Sequence, residues 1–208
     1  MRFSRLSRGF FSALYVFLAV VIPCISEAGD NTTVRGWCET GRVIYPAAAV
    51  FMEARAVFEG KSSTGLNPRL KSALRPLFGS LVDRIRVTWN IKLLDEWARD
   101  ETGIELSGTE SVGQAYGYNV YIRYPESELT DPQRTRSILW LLIHELVHVE
   151  QYEKAGGSLS DFGCSYAVGY ANANMSYDKN EMERQANDTA NAHIEEVYRL
   201  YVSNRNVD

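Results

Sequence analysis

Apolar residues follow one another from Ile138 to Val147 with a single polar interruption, His144-Glu145, and His148 comes directly after. A segment that is apolar nearly all round belongs to a helix buried in the protein, not one laid on its surface. Its ends are punctuated. Thr130-Asp131-Pro132-Gln133 offers a capping side chain, a first-turn proline and a glutamine three residues after the threonine, and Gly156-Gly157 offers the stop. At about 100° per residue, Trp140, Leu141, His144, His148, Gln151 and Tyr152 share one broad face. A second long helix is expected from about residue 178, with Glu181 three residues on, to about residue 202.

Upstream the pattern is shorter in period. Residues 46–58 are alanine-rich and end near Gly60, and residues 68–74 close at Pro76; both predict helices. Residues 84–89 alternate and are β-branched, which predicts a strand. Residues 91–100 predict a helix. Residues 112–116 and 119–123 predict two strands joined by Gly117-Tyr118, a glycine-first hairpin signal. Residues 161–177, rich in Gly, Asn, Ser and Tyr, are expected to be mostly loop. The order of elements predicts an α+β fold, with a small antiparallel sheet packed on the long helix.

Residues 1–28 have the anatomy of a secretory signal peptide: Arg2, Arg5 and Arg8, an apolar run over 10–22 ended by Pro23, and Ser26-Glu27-Ala28 before Gly29. The apolar run is short for a bilayer span. Cleavage would leave residues 29–208 as one domain, with a helical segment over 29–76 and a core over 77–208. The formal charge of −4 would become −6, since three arginines and one glutamate depart. A mildly acidic chain with no basic block is a poor nucleic-acid binder. After cleavage it has no stable membrane insertion either. Cys38 and Cys164 are the cysteines left, and in an oxidising compartment the pair predicts a disulfide, with free thiols as the alternative. The expected location is secreted or periplasmic. The oligomeric state is not legible.

His144-Glu145-Leu146-Val147-His148 spells H-E-x-x-H and holds two of the chain's three histidines. Four residues apart on a helix, two imidazoles point the same way and can hold one Zn²⁺, while the glutamate can reach a water on that metal. A catalytic zinc takes a third protein ligand. The extended motif with a third histidine fails, because Gln151 and Lys154 stand where it needs glycine and histidine. The final helix offers carboxylates instead. At about 100° per residue, Ala186, Asn187, Ala190, Ile194, Val197 and Tyr201 fall within about 60° of Glu183, while Glu181 is about 160° away. Glu183 thus lies on the apolar stripe, where a carboxylate needs compensation. The alternative is an ion pair with an arginine such as Arg86 or Arg123.

Glu183-Arg184-Gln185-Ala186-Asn187 resembles the E-x-x-A-D element that follows H-E-x-x-H in gluzincin-type metallopeptidases. From Leu77 onward the chain also resembles the zinc-peptidase domain of toxin-like and extracellular contractile injection system proteins. Arg84-Ile85-Arg86-Val87, Gln114-Ala115-Tyr116-Gly117, His144 to Gln151 and Glu183 to Asn187 carry that likeness. The resemblance implies a zincin-like fold, zinc held by His144, His148 and Glu183, and Glu145 as general base toward zinc-bound water. Asn187 replaces the usual Asp that orients a ligand histidine; it can still accept a hydrogen bond but adds no charge.

The function expected is peptide-bond hydrolysis, with a peptide or protein as substrate. Candidate oxyanion donors are His193 and the tyrosines 166, 170 and 177, with Tyr177 nearest the last helix. The 119–123 strand is a candidate for pairing with an extended substrate. The alternatives are a non-catalytic, toxin-like or envelope-binding protein on the same fold, and a hydrolase of a non-protein amide.

Overall fold

Among the described residues the helix Val34–Phe58 (α1) is the longest element, and it continues through Pro46. A proline inside a helix frees the carbonyl four residues earlier. Here that carbonyl is Arg42's, and it accepts from the Ser160 hydroxyl at 3.1 Å. Pro46 therefore lies inside α1, whereas the sequence marks it as the beginning of the helix. The computed structural model describes residues 34–103 and 111–204, so the signal-peptide reading of 1–28 lies outside the described residues.

The remaining elements are β1 (Thr64–Gly65), α2 (Pro68–Phe78), β2 (Arg86–Trp89), α3 (Leu94–Thr102), β3 (Gly113–Tyr116), β4 (Asn119–Ile122), α4 (Pro132–Lys154), α5 (Leu159–Asn172) and α6 (Glu181–Ser203). They make an α+β fold, mostly helical. The described chain divides into two compact units: residues 34–61 with Glu150–Arg184, and Ser62–Val149 with the chain from Gln185. The division falls inside α4 and α6.

In the second unit the sheet has the order β1-β2-β4-β3. The hairpin β3–β4 is antiparallel, turning at Gly117 with φ 64°. β2 and β4, however, pair in parallel, Val87 opposite Val120. The sheet is therefore mixed, not antiparallel as expected. The connection from β2 to β4 carries α3 and β3, long enough for the crossover that a parallel pair needs. Val87, Val120 and Ile122 pack into one core with Leu74, Leu139, Leu142, Ile143 and Leu146, and with Ala186, Ala190, Val197 and Tyr201 of α6.

In the first unit α1 and α5 lie side by side. The sequence expectation of loop over 161–177 is overturned, because α5 covers most of it. Its glycines, serines and asparagine are weak helix formers. They are tolerated because packing needs small residues there: a Cβ on Gly41 or on Gly163 would collide with the other's backbone. Ser158 caps the helix, accepting from the Asp161 amide at 3.1 Å. Tyr45 meets Phe162 edge-on at 5.1 Å. The Cys38–Cys164 disulfide is formed and joins the two helices across 126 residues of sequence.

Replacing both cysteines by serine should lower resistance to denaturant by about 3–5 kcal/mol, the constraint that a loop of this length places on the unfolded chain. Urea unfolding with and without reductant measures it. Equal midpoints, with mass spectrometry confirming the bond in the unreduced sample, would count against the bridge as a stabilising element.

Candidate metal centre

α4 and α6 meet in an antiparallel register that repeats every four residues. Arg136 pairs with Glu195 at 3.1 Å. Four residues on in α4 and four back in α6, the Trp140 indole N–H donates to Asn191 Oδ1 at 2.8 Å. The next step sets His144 Nδ1 3.0 Å from Asn187 Oδ1. The step after that is His148 and Glu183. Ala186 and Ala190, both fully buried, let the helices approach this closely.

His144 and His148 lie on one face of α4 and bring their Nε2 atoms to 3.1 Å. A tetrahedral zinc with nitrogens at about 2.0–2.1 Å holds them about 3.3 Å apart, so the observed spacing suits a shared ion. One ligand atom from each of His144, His148 and Glu183 lies within 4.8 Å of the others. All three side chains are buried, as is Glu145 at 3% exposure. Two buried carboxylates beside two imidazoles form a set that a divalent cation would suit. With the proton of His144 on Nδ1 and directed at Asn187, its Nε2 keeps the lone pair that a metal needs. Trp140 stacks on the same ring, centroids 5.5 Å apart, and fixes its plane.

The alternative partners of Glu183 are engaged elsewhere. Arg86 donates to the Ser63 carbonyl, and Arg123 lies 3.3 Å from Glu96. Glu183 instead accepts at Oε1 from the Tyr166 hydroxyl. Burial, first of all, then the neighbouring Tyr45 and Glu183, hold the Tyr166 phenol well above its usual range, so it remains a donor. Glu181 points to solvent and pairs with Arg184 at 2.7 Å. The helical-face argument therefore chose the buried carboxylate correctly. The start of α6 is held by Gln151, whose side-chain amide donates to Met182 O at 3.0 Å.

Glu145 lies against β3. A Cβ on Gly113 would come within 2.6 Å of Glu145 Oε1, so a larger residue there would push the carboxylate aside. Behind it the buried Tyr116 phenol is pushed up out of the physiological range, by burial first and then by the charges of Asp95, Tyr121 and Glu145.

One candidate donor, His193, is placed away from the ligands. His193 is 41% exposed, with its ring 4.0 Å from Glu196. Ten residues past Glu183, it lies about 15 Å along the helix, beyond reach of an oxyanion at the ligands. Tyr177 is half-buried on the 3-10 turn Tyr177–Lys179 before α6. The sequence missed Gly113, and it left Tyr166 unranked. A helical reading of 159–172 would have put Phe162, Tyr166 and Tyr170 on one face, and with them the phenol that Glu183 meets.

Comparison of the chain with protein-family models, with curated proteins and with solved structures gives no match in any of the three.

If the centre holds a metal through these three residues, Glu183→Ala and His144→Ala should each lose most bound metal after dialysis, while Glu181→Ala keeps it. Elemental analysis of the dialysed proteins decides. Full occupancy in Glu183→Ala, with loss in Glu181→Ala, would mean that the wrong carboxylate was chosen.

Proposed function

We propose that this chain is a zinc-dependent hydrolase of peptide bonds, acting in an exported, oxidising compartment. The observation that carries the reading is the buried set His144, His148 and Glu183 with a further carboxylate, Glu145, on the same helix. Zinc bound there would polarise a carbonyl and acidify water toward a pKa of about 7. His144, His148 and Glu183 hold the ion. Asn187 and Trp140 keep the His144 ring in one tautomer and one plane. Glu145 takes the proton from the attacking water and returns it to the leaving nitrogen. Two imidazoles and one carboxylate also suit ferrous iron; what favours zinc is Glu145 beside them in H-E-x-x-H, the pairing of ligands and base that a hydrolytic zinc site uses.

The substrate strand lies along β3. The 119–123 segment cannot take it, because β4 is flanked by β2 and β3. Among the described residues β3 is an edge strand, the position at which an extended peptide can add to a sheet. Its first residue, Gly113, is the one that touches Glu145, so a scissile bond paired there sits beside the base. Among the described residues no helix is long and apolar enough to cross a membrane. The disulfide supports export, since such bonds persist in oxidising compartments. The resemblance to gluzincin-type metallopeptidases supports the same assignment of roles.

Glu145→Gln keeps the shape of the base and removes its basicity. It should retain about one zinc per chain while cleavage of a peptide library falls roughly 10²-fold or more. A variant as active as the unaltered protein would sink the assignment of the base. Gly113→Ala should also retain metal but lower the rate by about tenfold or more, because it displaces the base from its working position. Paired metal analysis and peptide kinetics read out both variants.

A further inference from the structure

The backbone of Glu183 is fixed from three sides. Gln151 donates to Met182 O at 3.0 Å, the Met182 amide donates to Asn180 Oδ1 at 3.1 Å, and the Arg184 amide donates to Asn180 O at 2.9 Å. Asn180 is fully buried, and a Cβ on Gly169 of α5 would stand 2.5 Å from its Oδ1. What such anchors leave undetermined is the side chain, which has three torsions between the helix and the carboxylate. The Tyr166 hydroxyl meets that carboxylate directly.

Tyr166 is itself held on several sides. Its ring has Tyr45 at 5.2 Å, Tyr170 at 5.2 Å and Phe162 at 6.0 Å. Two residues earlier, Cys164 is bonded to α1, and next to that bond Gly163 and Gly41 bring the two backbones together. The phenol therefore reaches Glu183 from a cross-linked pair of helices with little freedom to withdraw.

We propose that Tyr166 is the positioning residue of the third metal ligand: its hydroxyl fixes the Glu183 carboxylate in the orientation that faces the two imidazoles. This rests on the metal centre proposed above. It makes α1 and α5, which contribute no ligand, part of the centre's affinity for its ion. It also gives each helix-borne ligand whose partner is named a neutral hydrogen-bonding support, Asn187 for His144 and Tyr166 for Glu183. Such outer partners typically tune metal affinity by about 10–100-fold.

The test is zinc affinity by chelator competition, on the full exported chain with its disulfide intact. Four proteins are compared: unaltered, Tyr166→Phe, Glu183→Ala, and the double variant. Tyr166→Phe should weaken zinc by about 10–100-fold while the metal-free protein melts within a few degrees of the unaltered one. On the Glu183→Ala background the same change should add nothing, since the group it positions is gone. The Co²⁺ form of Tyr166→Phe should show a shifted visible absorption, because the carboxylate meets the ion differently. Unchanged affinity in Tyr166→Phe overturns the inference, as does an equal loss with and without Glu183, which would make the role merely structural. An unaltered chain that takes up no zinc overturns the metal centre itself, a result distinct from tight binding that ignores Tyr166.

Discussion

The register between α4 and α6 is the constraint on which the rest depends. Side chains four apart on a helix form a ridge, and two such ridges face each other here in opposite directions. The H-E-x-x-H spacing is one stretch of the α4 ridge; Arg136 and Trp140 extend it by two steps. The α6 ridge answers with Glu195, Asn191, Asn187 and Glu183. A slip of one residue would present Met182 or Arg184 where Glu183 now lies. The apolar core, with Ala186, Ala190, Val197 and Tyr201, supplies the adhesion but discriminates poorly between neighbouring registers. The polar steps discriminate, because a slip would bury donors and acceptors without partners. Their weights differ. Arg136–Glu195 is exposed and contributes little, whereas the His144–Asn187 step is largely enclosed and matters more.

What was legible in the sequence follows this division between periodic and non-local information. α4 and α6 were legible because their apolar residues recur at helical spacing and their ends carry caps, and the choice of Glu183 over Glu181 needed nothing beyond that spacing. The mixed sheet was not legible. The parallel pairing of β2 with β4 joins segments separated by a helix and a strand, and no local pattern encodes it. α5 was misjudged for a related reason. Its composition is that of a loop, and what makes it a helix is a partner more than a hundred residues away: Gly41 against Gly163, and Cys38 bonded to Cys164. Pro46 misled in the same way, since the carbonyl it frees is satisfied by Ser160 of that distant helix.

The two buried carboxylates, Glu183 and Glu145, stand in different surroundings, and the proposed function gives them different tasks. Glu183 is confined: its backbone is anchored through Met182 and Asn180, and a phenol donates to one of its oxygens. Confinement suits a ligand, whose value lies in keeping a fixed position and a full charge. Glu145 stands against the backbone of a glycine on an edge strand, where a side chain would intrude. That arrangement suits a group that exchanges a proton with something arriving along the strand. In the proposed centre, the single-residue offset between His144 and Glu145 would separate the group that binds from the group that moves a proton, and the register of α4 against α6 sets what each of them faces.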